Sequence, residues 1–142
     1  SMKNLYHLLL FSFVISFALS CSGKKEVEGD PKIYAEANGY LQKSLDLREE
    51  ITGFEKQLKE SGSDYSELKE ELKTWDKDII EVPGFEHSHD DEHQRAYHVH
   101  NPMKPFKDTE HLDYQKVMHA EIAQLHEKFK RLTLPEVMEE NK

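Results

Sequence analysis

The sequence predicts an all-α protein, an antiparallel three-helix bundle with a long histidine-rich connector between its second and third helices. Apolar residues recur at alternating spacings of three and four in three separate segments, which is the period of one helix face. The 142 residues include only six Gly and five Pro, too few for a turn-rich β-sandwich. The predicted helices cover about 31–60, 64–80 and 109–132, and the connector covers 81–107.

The first helix is expected to start at Asp30-Pro31, because Asp accepts from unpaired amides at an N-cap and Pro is tolerated in the first turn. The sequence Ser61-Gly62-Ser63 should end it. Its predicted apolar face is heptad-like, widened by Leu41 and Leu45, and consists of Tyr40, Ser44, Leu47, Ile51, Phe54 and Leu58.

The second helix is expected to start at Ser63 or Asp64, with Glu67 placed to form a capping box. Val82-Pro83-Gly84 should stop it. Its predicted face is Tyr65, Leu68, Leu72, Trp75 and Ile79, with Trp75 in the core. The preceding turn is so short that it should force the first two helices antiparallel.

The third helix is expected to run from about Asp108-Thr109 to Leu132, before Pro135. Its predicted face is His111, Gln115, Met118, Ile122, Leu125, Phe129 and Leu132. His119 and His126 fall on one flank, two turns or roughly 10.5 Å apart, so they cannot chelate one ion. We expect both to be core-edge imidazoles. Three amphipathic helices can bury their faces only against one another, which predicts the bundle.

Composition excludes several classes of function. The chain has 19 Lys+Arg against 28 Asp+Glu, for a formal charge of −9. This argues against a nucleic-acid partner or an anionic-membrane footprint, which need a basic face. The single Cys rules out an intramolecular disulfide framework and a Cys-ligated structural zinc.

The N-terminal segment has the pattern of an export signal. Met2-Lys3 gives a positive start, residues 5–19 are almost entirely apolar and too short to span a bilayer comfortably, and Ser20-Cys21 closes the run. Ser1, before Met2, is taken as an addition to the natural chain. The pattern resembles a bacterial lipoprotein precursor, with Ala18 where the commonest form has Leu.

The resemblance implies that residues 1–20 are removed and that Cys21 becomes an acylated N-terminus. Residues 21–30 would then be a tether, and residues 31–142 a helical domain in the cell envelope, at the outer membrane or a periplasmic membrane face. Several acyl chains on one residue give lasting attachment. The alternative is an ordinary signal peptide with an incidental Cys21.

The connector carries the candidate chemistry. Five of the nine histidines lie between positions 87 and 100: four form two His-x-His pairs, and the fifth, His93, follows the three acidic residues between the pairs. In an extended chain alternate side chains point the same way, so each pair is a bidentate clamp, and a turn near 90–94 would unite the clamps around one ion. The predicted ligands are His87, His89, His98 and His100; second-rank candidates are His93, Asp90, Glu92 and His111.

An all-imidazole set suits Zn²⁺, Cu²⁺ or Ni²⁺, and we take zinc as the first candidate. Ligation requires neutral imidazole, so binding should weaken as the pH falls through about 6.5. The alternative is a solvated loop that binds nothing. Apolar side chains favour an ordered connector that covers the exposed end of the first helix: Phe85, Tyr97, Val99, Met103 and Phe106.

His89 to His93 formally matches the His-x-x-Glu-His pattern of inverzincin metalloproteases. That chemistry needs both histidines on one face of a buried helix beside a walled cleft, whereas the flanks here are polar and the chain is short. We therefore predict no enzyme activity.

The stretch 75–89, in which Val82-Pro83-Gly84-Phe85 leads into the histidines, also resembles small His-rich lipoproteins of Bacteroidetes-type bacteria. That likeness supports the compartment and the layout but implies no activity. The sequence thus predicts a lipid-anchored envelope protein that buffers, senses or donates zinc-like ions. The alternative is a helical adaptor that pairs with another envelope protein or with itself, since the second helix only partly covers the long heptad face of the first.

Overall fold

The structure, a computed structural model, describes residues 28–88 and 95–135. This part contains three helices and no strand: α1 (Pro31–Ser61), α2 (Ser66–Asp78) and α3 (Asp108–Thr133). The all-α prediction is confirmed for these residues. None of the three helices is both long and apolar enough to cross a membrane. The predicted signal peptide, Cys21, the tether up to residue 27 and the last seven residues of the predicted domain lie outside the described ranges.

The ends of α1 are those the sequence predicts. The Asp30 side chain accepts from the backbone N–H of Lys32 at 2.9 Å, and Pro31 occupies the first turn. At the other end Gly62 adopts a left-handed conformation with φ 68°, and the N–H of Ser63 bonds to the carbonyl of Leu58 at 3.0 Å. This is the glycine-dependent way of ending a helix.

The start of α2 differs from the prediction. The helix begins at Ser66, and its N-cap residue, Tyr65, makes no side-chain cap bond. Asp64 Oδ1 instead accepts from the N–H of Ser66 at 3.1 Å. A capping box would need this carboxylate to accept from the N–H of Glu67, one residue later. The predicted capping box with Glu67 is wrong. The helix ends at Asp78 because Ile79 is extended.

α3 packs on both other helices, and its interface with α1 is the larger. Its buried face contains every predicted residue except the last, since Leu132 is 44% exposed. Three ring contacts follow the α1–α3 interface: Tyr34 with His111, Tyr40 with His119, and Phe54 with His126, at centroid distances of 5.8, 5.8 and 5.2 Å. The half-buried, core-edge positions predicted for His119 and His126 are confirmed.

The buried face of α1 is rotated from the predicted one. Tyr40, Leu47 and Phe54 are only half-buried and form its flank. The buried positions are Tyr34, Ala37, Leu41, Ser44, Leu45, Arg48, Ile51 and Leu58. Ser44, Ile51 and Leu58 of the predicted face are buried, but spacing could not predict the rotation, because a charged Arg48 occupies the centre of the buried face.

The connector is packed where the structure describes it. Val82 and Val99 belong to the core, Tyr97 packs against it, and Phe106 lies against the rings of His111 and Tyr114. The expected covering role is wrong for two residues: Phe85 is 42% exposed and Met103 is 39% exposed. α3 and the connector together cover the apolar face of α1 that favoured the adaptor, and the adaptor alternative itself stays a prediction.

Candidate metal centre

The segment around the second His-x-His pair is packed on the bundle. Val99 is buried, and Tyr97 is half-buried against the core. His98 lies between these two residues in the chain, and His100 follows Val99. The two imidazole centroids are 6.2 Å apart, and the ring planes are inclined by 31°. The chain bends at 96–97 and again at 101, and the two imidazoles differ in exposure: His98 is half-buried, whereas His100 is exposed. They are neighbours on a segment that is packed on the bundle.

The imidazole of His87 comes to the same place from the other end of the connector. Its ring centroid is 5.3 Å from that of His98, although eleven positions separate the two residues. Three imidazoles therefore form a row in space: the His87 ring lies beside the His98 ring, and the His98 ring lies beside the His100 ring.

Glu81 fixes the orientation of His87. One carboxylate oxygen accepts from the backbone N–H of His87 at 2.7 Å, and the other contacts its Nδ1. The Glu81 side chain is only 15% exposed. An imidazole that donates from Nδ1 presents Nε2 as its lone-pair nitrogen, and a carboxylate on Nδ1–H is the usual outer partner of a metal-bound histidine.

A cavity of about 210 Å³ lies beside these imidazoles. Its apolar wall comes from α1 and the connector, including Leu41, Leu45 and Val99. Its polar wall includes Glu81, His87, Arg95 and His98. The space is too small for a typical drug-sized ligand, which occupies pockets of about 300 Å³ or more, but ample for an ion and water.

Arg95 fastens the connector to α1 next to the cavity. Its Nη1 lies 2.6 Å from an Asp46 carboxylate oxygen and 3.6 Å from one of Glu49, and its Nε donates to Gln42 Oε1 at 3.2 Å. These partners neutralise the guanidinium, which would otherwise repel a cation at the imidazoles.

A second charged contact lies deeper, and sequence analysis missed it. Arg48 donates from Nε and Nη2 to the two Asp76 carboxylate oxygens at 2.8 and 3.0 Å, while its Nη1 donates to Thr52 at 2.8 Å. The Tyr97 hydroxyl donates to Asp76 Oδ1 at 2.8 Å, and the Arg48 guanidinium lies 4.7 Å from the Tyr97 ring centroid. We call these three residues the Arg48–Asp76–Tyr97 network. Only the interruption of the apolar heptads at Arg48 could have indicated it.

The pKa values of Arg48 and Tyr97 are both raised within the network. Burial lowers the pKa of Arg48, but the hydrogen bond and charge of Asp76 outweigh that loss and raise it overall. Burial, with the Asp76 hydrogen bond second, raises the pKa of Tyr97 far above its usual value. Both groups therefore keep their donor protons across the physiological range.

His111 is not part of this cluster. It is 1% exposed and its ring contacts Tyr34 and Phe106 at centroid distances of 5.8 and 5.5 Å. Its Nδ1 has no hydrogen-bond partner within the described ranges, and burial lowers its pKa. It lies between two aromatic rings at the start of α3, so we do not propose His111 as a metal ligand.

The remaining four predicted ligands fall between residues 89 and 94. His89, Asp90, Glu92 and His93 lie outside the described residues, as does the proposed lipidation site Cys21. Within residues 28–88 and 95–135, no group of three or more His, Cys, Asp or Glu side chains has a geometry ready to hold a metal ion. The described part thus contains neighbouring imidazoles and an oriented His87, without a complete coordination shell.

No protein-family model, no curated protein and no solved structure matches this chain. Any functional conclusion therefore depends on the residues described above.

Proposed function

We propose that this protein is a lipid-anchored envelope protein that binds a zinc-like divalent metal through its histidine-rich connector, as a buffer, sensor or metal donor. One observation carries the proposal. The His87 ring meets the His98 ring at a centroid distance of 5.3 Å, so imidazoles from both ends of the connector come together. A solvated loop gives no reason for this approach.

The contact between Glu81 and His87 adds a second support. A carboxylate on Nδ1–H fixes the tautomer, orients the ring and increases the basicity of the other nitrogen. His87, His98 and His100 are the proposed ligands among the described residues. His89, with His93, Asp90 and Glu92 in second rank, remains the proposed remainder of the shell. Zn²⁺ is the first candidate because imidazole and carboxylate are its common ligands when thiolate is missing.

For the helices we propose the up-down-up, antiparallel arrangement. The α1–α3 ring contacts advance together along both helices, from the Tyr34–His111 pair to the Phe54–His126 pair. The α2–α3 contacts run in the opposite sense: Tyr65 lies against Phe129, and Trp75 bonds to Met118. In this arrangement the connector returns from the end of α2 to the start of α3 along the N-terminal half of α1.

Anchoring through Cys21 is proposed from the sequence pattern alone. Metabolic labelling with a palmitate analogue tests it in a bacterial host that processes lipoproteins. We expect label on the wild-type chain and none on Cys21→Ala. Equal labelling of both chains would refute lipidation at this residue without bearing on the metal.

Zinc titration of the full chain, purified in detergent without a His tag, tests the metal site. We expect one strong site per chain and its loss on joint replacement of His87, His89, His98 and His100 by Ala. The control is His119→Gln with His126→Gln, which removes two imidazoles outside the connector. Unchanged affinity in the fourfold variant would rule out the assignment.

The adaptor alternative gives a different result in the same preparation. A metal-dependent rise in melting temperature favours the ion-binding proposal, because a ligand of the folded state stabilises it. A metal-independent oligomer whose melting temperature is the same with and without zinc favours the adaptor.

A further inference from the structure

We infer that the Arg48–Asp76–Tyr97 network positions the His98/His100 clamp, so that metal affinity depends on a buried ion pair in the helical bundle. This inference rests on the proposed metal-binding function. In this view the helical bundle positions the ligands, and their position depends on Asp76.

Asp76 holds the clamp-bearing segment from both sides. Its carboxylate accepts from the Tyr97 hydroxyl at 2.8 Å, one residue before His98. Its main-chain carbonyl accepts from Asn101 Nδ2 at 2.8 Å, one residue after His100. The same Asn101 amide also donates to the carbonyl of Ile79 at 2.7 Å. The two histidines therefore lie on a five-residue segment fixed at both ends to the end of α2.

The middle of the segment is fixed as well. Val99, between the two histidines, is buried in the core. With 97, 99 and 101 all held by the bundle, the backbone on both sides of each histidine is fixed in place. A rotation of the segment that turned the imidazoles away from each other would have to pull Val99 out of the core and break the bonds of Tyr97 and Asn101.

Arg48 in turn fixes Asp76. The guanidinium grips both carboxylate oxygens, is itself held by Thr52, and lies against the Tyr97 ring. A two-point bond between planar groups sets the orientation of the carboxylate as well as its position. Arg48 lies on α1, Asp76 on α2 and Tyr97 on the connector, so the network ties three parts of the chain to one carboxylate.

These residues do not touch the proposed metal; they are positioning residues. Removing the Tyr97 hydroxyl releases one end of the clamp-bearing segment while the aromatic ring and Val99 stay. The two imidazoles then sample more orientations, and ordering them again on binding costs affinity. Loss of a group hydrogen-bonded directly to a ligand typically weakens metal affinity about 10- to 100-fold, and Tyr97 acts one contact further out, so its effect should lie at the lower end of that range.

The experiment is a zinc titration of the full chain in detergent, in competition with a chromophoric chelator. Tyr97→Phe should raise the zinc Kd about tenfold, at the lower end of the range for outer contacts. Tyr40→Phe is the matched control, since Tyr40 is also a half-buried tyrosine but its ring lies against His119 of α3. It should leave the Kd unchanged.

A merely structural role is separated by working where every variant is fully folded, as shown by circular dichroism. Under those conditions a loss of stability alone leaves the Kd unchanged. The visible spectrum of Co²⁺ in the site gives a second readout: Tyr97→Phe should weaken or shift the wild-type bands at saturating metal.

Wild-type binding together with an unchanged Kd and Co²⁺ spectrum in Tyr97→Phe would overturn the inference and leave the metal-binding function standing. No zinc binding by the wild-type chain would overturn both. The wild-type titration thus separates the two failures.

Discussion

The indole N–H of Trp75 donates to the main-chain carbonyl of Met118 at 2.9 Å, in a fully buried contact between α2 and α3. α2 has only 13 residues and its contact with α3 is the smaller of the two that α3 makes, so a large share of its attachment depends on this side chain. The ring centroids of Trp75 and Tyr97 are 6.4 Å apart, and this contact links α2 to the connector.

Trp75→Phe should lower the free energy of unfolding by about 2–3 kcal/mol, from the lost ring volume together with one lost hydrogen bond. Urea unfolding followed by far-ultraviolet circular dichroism measures the change. Val117→Ala is the control, because Val117 is 56% exposed and exposed truncations fall within about 0.5 kcal/mol of wild type. Equal stability of the two variants would contradict the packing described for α2.

The buried pair of Arg48 and Asp76 gives a prediction in two steps. Arg48→Met should cost about 2–3 kcal/mol, less than the usual loss for a buried pair because the Asp76 side chain is 28% exposed. Replacing Asp76 by Leu in the same chain should recover at least half of the loss, since the carboxylate that lost its two-point partner is then removed. Urea unfolding of the four chains of this double-mutant cycle measures both steps. A double variant less stable than Arg48→Met would show that the pair is worth more than apolar packing.

This pair also shows how far the sequence predicts the fold. The α3 face could be predicted because apolar residues fill its heptad positions almost without interruption, from Met118 to Phe129. The α1 face could not, because Arg48 is buried by an acceptor on another helix and a tyrosine on the connector, and sequence spacing carries neither fact. The prediction of a capping box was wrong because the Asp64 carboxylate accepts from the N–H of Ser66 instead, and α2 begins at Ser66, later than predicted.

The histidine clamp is the corresponding case in the candidate site. The His-x-His spacing predicts that His98 and His100 share a side, but it does not predict which side faces the bundle. The segment is placed on the bundle by Tyr97, which bonds a residue 21 positions earlier, and by Val99, which joins the core. The role of Glu81 was equally hidden, because a glutamate six residues before a histidine carries no local signal.

That glutamate supplies a prediction about affinity. Glu81→Gln should weaken zinc binding about tenfold, because the amide is a poorer partner for the Nδ1–H of His87 and no longer increases the basicity of its Nε2. Competition titration measures the change. Glu86→Gln makes the same change of charge in the same cavity but alters a contact with the N–H of Gly84, so it should keep the wild-type affinity. Equal losses in both variants would mean that only the charge of the cavity matters.

His111 predicts how stability depends on pH. Burial lowers its pKa in the folded chain, so the fold favours the neutral ring. Its contribution is complete above the unfolded pKa of about 6.5 and is lost as the pH falls from there through the depressed folded value. The urea midpoint of metal-free protein should therefore drop between pH 7.5 and pH 5.5, and His111→Leu should drop less. His100→Ala, at an exposed imidazole, is the control and should follow wild type. A drop of equal size in His111→Leu would assign the effect to other groups.

Gly62, directly after α1, and Gly53, inside it, should respond with opposite sign to the same substitution. Gly62 has φ 68°, and an added Cβ would meet nothing within 4 Å, so the cost of Gly62→Ala is conformational alone. Forcing Ala into the left-handed region costs about 1 kcal/mol or more. Gly53 lies exposed inside the helix, also with open space around a Cβ, and there Ala should add about 0.5–1 kcal/mol of stability. Thermal and urea unfolding of the two variants should move the wild-type midpoint in opposite directions. A stabilising Gly62→Ala would mean that α1 does not end at this residue, and that the turn leading into α2 has another conformation.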